Sequence, residues 1–434
     1  MKNQKKKIMI NATDQDRYNR LKKTSTIHYN MEVNKVLSEI IDDFPDTLSG
    51  MEYFYNKFKP LEAGESIYPK GKKLIASMCI HVPVELIYAL DATPVRICSG
   101  AYSADTAGSD FLPAKICPMV KSTLGALYLD MLPGNANPDL IINPTTCDQK
   151  KKIGEMGEEI GKELYVLEVP PSKDSEEARQ YWQRTVKKLV KKLEKVTGNK
   201  LSRRKLKRSI KAVAQAQSEF RRFMRLRKNA PVIFGKDALL VTNSYFFDDI
   251  SNWTEKLAIL NDELEERIEK EATVTGPRTP RILLTGSPSI FPNMRTPILL
   301  EKLGGVIVYE EFCSSSRMLS DTVAVDEWFL YDMVPAVADR YLKPSTCPNF
   351  TPNDDRIRKI LLAMEDYKVD GVVYQTFTGC QLYDMESRKI SKELEKFGYP
   401  VLNIELDYNP KDSGQLTTRL EAFLESIKEN KRKK

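Results

Sequence analysis

Histidine is nearly absent from this chain, and the usual cysteine motifs of metal sites are missing. The 434 residues include two histidines, His28 and His81, and seven cysteines, of which no two form a C-x-x-C pair. Structural zinc sites are normally built from such pairs together with histidines. The sequence therefore offers little material for imidazole metal sites or for histidine acid–base chemistry.

Targeting and membrane segments are also missing. The basic residues 1–7 are followed only by the short apolar run 8–10 before polar sequence returns, which does not match a secretory signal. No apolar run approaches the roughly 20 residues that a transmembrane helix needs. We expect a cytoplasmic protein that does not bind membranes, and in that reducing compartment disulfides are not expected.

The composition is that of a globular protein with enough apolar material for sizeable cores. Hydrophobic residues make up 41% of the chain and charged residues 29%, and the length predicts two or three domains. The formal net charge of +7 is modest. It favours an acidic partner or substrate over nucleic acid, because nucleic-acid binders concentrate positive charge further.

Short apolar runs alternate with amphipathic stretches from about residue 70 onward. Strands that alternate with helices predict parallel sheets with right-handed crossovers. The predicted strands are 74–79, 94–98, 138–143 and 164–169 in one half, and 281–286, 305–309, 371–374 and 401–404 in the other.

The pattern predicts an α/β fold with two Rossmann-like domains, each a doubly wound parallel sheet, and a helical segment between them. We predict an N-terminal helical extension over 1–69, a first α/β domain over 70–173, a mainly helical segment over 174–275 and a second α/β domain over 276–434. Within the helical segment, 238–241 is the first strand-like run.

Helices of that segment carry a basic face from Lys187 to Lys228. Its simplest interpretation is a solvated helix surface. A docking face for an acidic redox partner is the alternative. Nucleic acid comes third, because no interleaved aromatic residues accompany the charges in the sequence.

Most of the cysteines follow predicted strands, and ligands of open parallel sheets bind beyond the carboxyl ends of the strands. Cysteines that merely filled space would lie within strands and on helix faces. Thiols without histidines or C-x-x-C pairs, in a reducing compartment, indicate iron–sulfur ligation. The strand-end cysteines are Cys79, Cys98, Cys147, Cys313 and Cys380, and the two predicted in loops, each before a proline, are Cys117 and Cys347.

Three lysines, Lys150 to Lys152, follow Cys147 where a helix is predicted to begin. Positive charge is unfavourable at a helix N-terminus. An anionic cluster bound there would reverse that preference, since both the lysines and the free N–H groups would favour it. The other interpretation is that the lysines point to solvent.

At these positions the chain resembles the 2-hydroxyacyl-CoA dehydratase / benzoyl-CoA reductase family. The resemblance extends over nearly the whole chain from about residue 70 and includes the order of the two domains. The stretches that carry it are C-I-H-V-P-V-E at 79–85, C-P at 117–118, P-T-T-C-D at 144–148, G-C-Q-L-Y at 379–383, E-L-D-Y at 405–408 and G-Q-L-T-T-R at 414–419.

The resemblance implies an iron–sulfur cofactor. Dehydratase subunits of the family hold one 4Fe–4S cluster with three cysteines, which match Cys117, Cys147 and Cys380. Three further cysteines resemble the family's double-cubane branch, in which a sulfide joins two 4Fe–4S cubanes into an 8Fe–9S cluster that six cysteines ligate. Those further ligands are Cys79, Cys313 and Cys347. Cys98 is then a spare, although Cys79 and Cys98 could exchange roles.

The resemblance also implies partners and a reaction. Members of this branch are homodimers that receive low-potential electrons from a separate iron–sulfur activator that hydrolyses ATP. The chain contains no G-x-x-x-x-G-K-[ST] loop, so nucleotide chemistry is expected elsewhere. The expected reaction is the reduction of a small, hard-to-reduce molecule, for which acetylene is the usual test substrate.

Two other functions stay open from the sequence alone. One is a 2-hydroxyacyl-CoA dehydratase or aryl-CoA reductase subunit with a single 4Fe–4S cluster, and the other is an iron–sulfur electron carrier without catalysis. Candidates for proton delivery are His81 and Glu85. A structural role is the alternative for His81, and a place on the helix surface is the alternative for Glu85.

Overall fold

Two four-stranded parallel sheets organise the computed structural model, which describes residues 12–44, 48–61, 65–157 and 160–433. The first sheet has the order β2-β1-β3-β4 and the second the order β6-β5-β7-β8, so the same arrangement occurs twice. The predicted fold class is confirmed. The strands are β1 (Leu74–Ser77), β2 (Thr93–Arg96), β3 (Leu140–Pro144), β4 (Leu164–Leu167), β5 (Arg281–Gly286), β6 (Val306–Glu311), β7 (Gly371–Phe377) and β8 (Val401–Leu406).

Helices precede, connect and cover these sheets. Those before and within the first sheet are α1 (Ala12–Ile41), α2 (Met51–Lys57), α3 (Val84–Ala89), α4 (Tyr102–Gly108), α5 (Pro118–Tyr128) and α6 (Asp148–Ile153). Between the sheets lie α7 (Glu176–Thr197), α8 (Arg203–Leu226), α9 (Gly235–Ser244) and α10 (Ile250–Glu269). The second sheet is accompanied by α11 (Arg295–Lys302), α12 (Ser316–Leu319), α13 (Leu330–Leu342), α14 (Asp354–Asp366), α15 (Gln381–Lys396) and α16 (Ser413–Lys433).

The strand-like run 238–241 is part of α9, so its interpretation as a strand was wrong. All ten residues of α9 are buried, and a helix that is buried on every side loses the amphipathic period that distinguishes it from a strand. At the start of the chain, residues 1–11 of the predicted extension lie outside the described ranges. Within those ranges, no helix combines the length and apolar character that a membrane span requires.

The connecting helices pack on both halves of the chain. In the first sheet, the central strands β1 and β3 are buried along their whole length, as expected for parallel strands covered on both faces. Trp182 of α7 is fully buried, and its indole Nε1–H donates to the Ala338 carbonyl of α13 over 2.8 Å. This contact ties the helical segment to an element of the second half.

We predict that Trp182→Phe lowers the free energy of unfolding by about 2–4 kcal/mol, because a buried hydrogen bond is lost and the smaller ring leaves a cavity. Denaturant titration measures this change. Tyr181→Phe is the matched control, because that hydroxyl bonds to Glu168 at an exposed position, and such a change is expected to stay within about 0.5 kcal/mol. Equal losses in the two variants would contradict the role given to the indole.

Candidate functional site

The carboxyl ends of the strands present thiols in both halves of the molecule. Cys79, Cys98 and Cys313 each follow the last residue of a strand by two positions, after β1, β2 and β6. Cys147 and Cys380 follow β3 and β7, the corresponding strands of the two sheets, and each immediately precedes a helix. The same local construction therefore supplies one thiol from each half.

Six of the seven cysteines meet at a single cavity of about 590 Å³. Elements of both halves contribute to its wall, which also contains apolar side chains such as Ile80, Phe350 and Leu382. The cysteines that line the cavity are Cys79, Cys117, Cys147, Cys313, Cys347 and Cys380.

Cys98 does not line this cavity. It is buried, and its Sγ donates to the Met78 carbonyl over 3.3 Å. The sequence left Cys79 and Cys98 interchangeable. In the structure Cys79 lines the cavity and Cys98 lies outside its wall.

The three lysines after Cys147 differ in their surroundings. Lys150 is buried and its Nζ donates to the Met78 carbonyl over 2.7 Å, while its backbone N–H points to the Cys147 sulfur at 3.4 Å. Lys151 and Lys152 are exposed and pair with Asp148 and Glu155. One lysine therefore belongs to the thiol environment, and the other two lie on the surface.

The charge of Lys150 is coupled to the thiols. Burial disfavours its charged form, but the electrostatic effect of the neighbouring cysteines outweighs burial and raises the pKa of Lys150 above the ordinary value; Cys79 contributes most, followed by Cys98, Cys147 and Cys313. A buried cation whose charged form is stabilised by surrounding sulfurs indicates a site that favours negative charge.

Arg96 is a second buried cation at the site, and reasoning from the sequence missed it. It ends β2 in the first sheet, yet it donates to the Cys313 carbonyl over 2.6 Å and to the Cys313 sulfur over 3.3 Å. Its guanidinium lies 4.3 Å from the ring centre of Phe246. The sequence did contain a signal that could have found it, because Arg96 is the one charged residue in the predicted strand 94–98.

Gln149 joins the two halves beside three of the thiols, and nothing in the sequence marked it. Its Oε1 accepts the N–H of Cys117 over 3.0 Å, and its Nε2 donates to the Gly379 carbonyl over 2.9 Å. Because Gln149 itself lies two residues after Cys147, one side chain fixes Cys117, Cys147 and Cys380 relative to one another.

Replacing Gln149 with leucine should lower the free energy of unfolding by about 1–3 kcal/mol, because two partly buried backbone groups lose their partner. Gln149→Glu should recover part of this loss, since the carboxylate can still accept from Cys117. The exposed substitution Gln180→Leu serves as the surface control for denaturant titration. A Gln149→Leu loss no larger than that of Gln180→Leu would contradict the bridging role.

The two predicted proton-delivery residues lie in different surroundings. His81 is buried; its Nδ1 lies 3.3 Å from the Cys79 sulfur and its Nε2 lies 3.1 Å from the Ser345 hydroxyl. It contacts a thiol but does not line the thiol-lined cavity. This position suits the structural role that the sequence left as the alternative.

Glu85 is fully buried, where the sequence had left a surface position open. Its Oε2 accepts from the Tyr341 hydroxyl over 2.7 Å, and it does not line the cavity. Its predicted part in proton delivery stays a prediction, which this placement does not support.

The thiols differ in how easily they ionise. Burial opposes ionisation of Cys79, but Lys150, His81 and Arg96 together hold its pKa well below the ordinary value. A hydrogen bond from Cys117 lowers the pKa of Cys380 to about 7 against the effect of burial. Burial raises the pKa of Cys347 to about 12, and the nearby Cys79 contributes to the same rise. The cavity therefore contains both thiols that ionise readily and thiols that need a positive partner.

These residues fit an iron–sulfur cluster better than a single metal ion. Among the residues described, no three histidine, cysteine, aspartate or glutamate side chains are close enough to hold one ion. A polynuclear cluster places its irons at separate corners, so its thiolate ligands stand further apart. Six thiols around one cavity supply the ligand type that such a group needs, and the buried Lys150 and Arg96 would balance its negative charge.

Comparison with known proteins finds relatives that match most of the chain. The family described as 2-hydroxyglutaryl-CoA dehydratase, D-component, matches residues 79–427. The chain is 31% identical over 365 residues to the Escherichia coli K12 protein YjiM, whose name describes it as a dehydratase subunit. The match covers 82% of this chain and 92% of that protein.

Two further relatives are enzyme subunits by name. The chain is 25% identical to the beta subunit of (R)-phenyllactyl-CoA dehydratase from Clostridium sporogenes, over 88% of this chain and 100% of that subunit. It is 20% identical to one of the subunits of benzoyl-CoA reductase from Thauera aromatica, over 82% of this chain and 92% of that protein. The relatives thus include both dehydratases and reductases.

Proposed function

Because the chain belongs to the 2-hydroxyglutaryl-CoA dehydratase D-component family, we propose that it is an iron–sulfur reductase with a double-cubane cluster. In this proposal the cluster is of the 8Fe–9S type, and its ligands are the six cysteines that line the cavity. The substrate is a small molecule that is hard to reduce.

The number of thiols in the cavity is the observation that carries the proposal. A single 4Fe–4S cluster on Cys117, Cys147 and Cys380 would leave three more cysteines without a role in the same wall. Free cysteines are usually buried fillers, yet Cys313 and Cys347 are only partly buried and face this cavity. A second cubane accounts for all three additional thiols.

The chain's own residues would hold the cluster and balance its charge. Lys150 and Arg96 supply buried positive charge, and the N–H of Lys150 and the guanidinium of Arg96 point to the sulfurs of Cys147 and Cys313. Hydrogen bonds to sulfur and burial tune the potential of such sites. When bound, the cluster supplies low-potential electrons and iron corners without a side-chain ligand.

His81 would act through Cys79 rather than on substrate. Its ring lies between the Cys79 sulfur and the Ser345 hydroxyl, so one nitrogen can hold a proton toward the sulfur while the other is fixed by serine. The apolar side chains Ile80, Phe350 and Leu382 limit water at the cavity wall. A drier wall strengthens the charge interactions within the site.

Partners follow from the same proposal. The chain has no phosphate-binding loop of the G-x-x-x-x-G-K-[ST] type, so the electrons would come from a separate iron–sulfur activator that hydrolyses ATP. The functional unit would be a homodimer. The relatives from Clostridium sporogenes and Thauera aromatica are both named as subunits of enzymes, which supports assembly with further chains.

A dehydratase subunit is the second candidate, because the relative from Clostridium sporogenes carries that name. It would use one cluster on Cys117, Cys147 and Cys380, and a dissimilar subunit would complete the site.

Turnover separates these candidates. We expect anaerobically purified protein, supplied with a reduced activator of this family and ATP, to reduce acetylene without any added CoA ester. Omission of ATP is the control and should abolish the reaction. Dehydration of a 2-hydroxyacyl-CoA without acetylene reduction would support the dehydratase subunit, and no turnover at all would support an electron carrier.

A further inference from the structure

A second cavity, of about 190 Å³, lies next to the thiol-lined one, and Ile80 lines both. Its wall includes Arg340, Lys359 and the hydroxyl residues Ser320, Ser345 and Thr346. Ser320 is exposed, so this side of the cavity reaches solvent. Apart from Ser345, none of these residues has a part in the functions proposed above.

Two cations face this cavity without a carboxylate partner. Arg340 donates to the carbonyls of Asp321 and Met318 over 2.9 and 2.8 Å, and Lys359 donates to the Pro344 carbonyl over 2.8 Å. In the part of the chain that the structure describes, neither side chain forms an ion pair closer than 4.0 Å. Carbonyl oxygens satisfy the donors but do not neutralise the charge.

Among the described residues, the acids of the wall form no ion pair with Arg340 or Lys359. Glu311 already pairs with Arg317 over 3.2 Å and with Arg356 over 2.9 Å. The Asp321 carboxylate accepts from the Ser320 hydroxyl over 2.6 Å, and among the described residues it is the one remaining acid on the wall. Neither acid lies within ion-pair distance of either cation, and the carboxylates that act on Arg340, which are those of Asp321 and the buried Glu85, do so at longer range.

The geometry points to a binding site for a small oxyanion, such as phosphate, sulfate or a carboxylate, in this second cavity; we propose that Arg340 and Lys359 hold its charge. Guanidinium and ammonium groups with neighbouring hydroxyl donors form the usual set that recognises such anions. A cation would meet two like charges, and an apolar ligand would leave these donors without partners.

Ser345 connects the oxyanion site to the thiols. Its Oγ lies 3.1 Å from His81 Nε2 and accepts the N–H of Cys347 over 3.4 Å, while His81 contacts Cys79. Ser345 and His81 would thus separate negative charge in the second cavity from two of the proposed ligands, Cys347 and Cys79. If the cluster is present, the bound oxyanion should shift its reduction potential to more negative values, which deepens the proposed function by giving it a means of regulation.

Calorimetric titration of the purified full-length chain with inorganic phosphate, sulfate and acetate tests the site directly. We expect at least one of the three to bind with one site per chain, and Lys359→Gln to weaken it about tenfold, the effect of losing one charge-assisted hydrogen bond. Lys343→Gln is the matched control: this lysine is exposed, pairs with Asp339 and does not line the cavity. It should leave the affinity unchanged.

A second variant tests the guanidinium while its charge is kept. Arg340→Lys should weaken binding, because lysine cannot reproduce the planar fork of donors. Absence of binding by all three anions would overturn the proposal, and so would equal affinities in the Lys359→Gln and Lys343→Gln proteins.

Binding at this site does not require the cluster, although a bound cluster should change the affinity. We expect the oxyanion to bind to iron-free chain as well, so iron content is determined on the same samples. Iron without oxyanion binding would overturn this inference alone, and oxyanion binding without iron would leave it standing while the proposed function failed.

Discussion

Replacing Cys347 with serine should cost the protein about half of its iron, because one of two cubanes loses a ligand while the other keeps its three. The same loss is expected for Cys313→Ser, since both residues belong to the additional set that a single-cluster dehydratase does not need. Iron is determined on anaerobically purified protein and compared with the unaltered chain. This result would distinguish two cubanes from one.

Cys98→Ser is the matched control, because Cys98 is buried close to Cys79 yet lies outside the cavity and donates to a backbone carbonyl. Serine can make the same hydrogen bond, so its iron content should not change. Full iron in both Cys347→Ser and Cys313→Ser would contradict the double cubane. Loss of iron in Cys98→Ser would contradict the assignment of the spare thiol.

Lys150→Met should lower the stability of iron-loaded protein by about 3–5 kcal/mol, the usual cost when one partner of a buried charge pair is removed. The physical reason is that the anionic cluster and its thiolates would remain buried with Arg96 but without the charge of Lys150. In iron-free protein the thiols can take up protons, so the same substitution should cost much less. Thermal unfolding of loaded and iron-free samples measures both values.

Lys151→Met serves as the control because Lys151 is exposed and pairs with Asp148 at the surface, and surface changes of this kind stay within about 0.5 kcal/mol. Equal losses for Lys150→Met in the loaded and iron-free states would mean that the lysine is structural. Lys150 would then give no support for an anion bound in the cavity.

Much of the fold follows from local patterns in the sequence. The strand predicted over 281–286 matches β5, because continuous apolar residues between turn signals are typical of a fully buried parallel strand. The strand predicted over 371–374 likewise lies within β7. The strand-end cysteines could also be located, since the end of a parallel strand is defined by its own sequence.

The rest of the site depends on contacts between distant parts of the chain. Arg96 donates to Cys313 across 217 positions, and Gln149 to Gly379 across 230. No local pattern distinguishes a buried lysine such as Lys150 from its exposed neighbours, because all three have the same sequence context. The choice between Cys79 and Cys98 likewise required the packing of β1 and β2 to be known.

Iron and acid-labile sulfide per chain, determined on anaerobically purified protein, test the central claim most directly. A double cubane predicts about eight irons per chain with slightly more sulfide than iron. About four irons would contradict it and return Cys79, Cys313 and Cys347 to structural roles. No iron in protein that has been protected from oxygen would contradict the iron–sulfur site altogether.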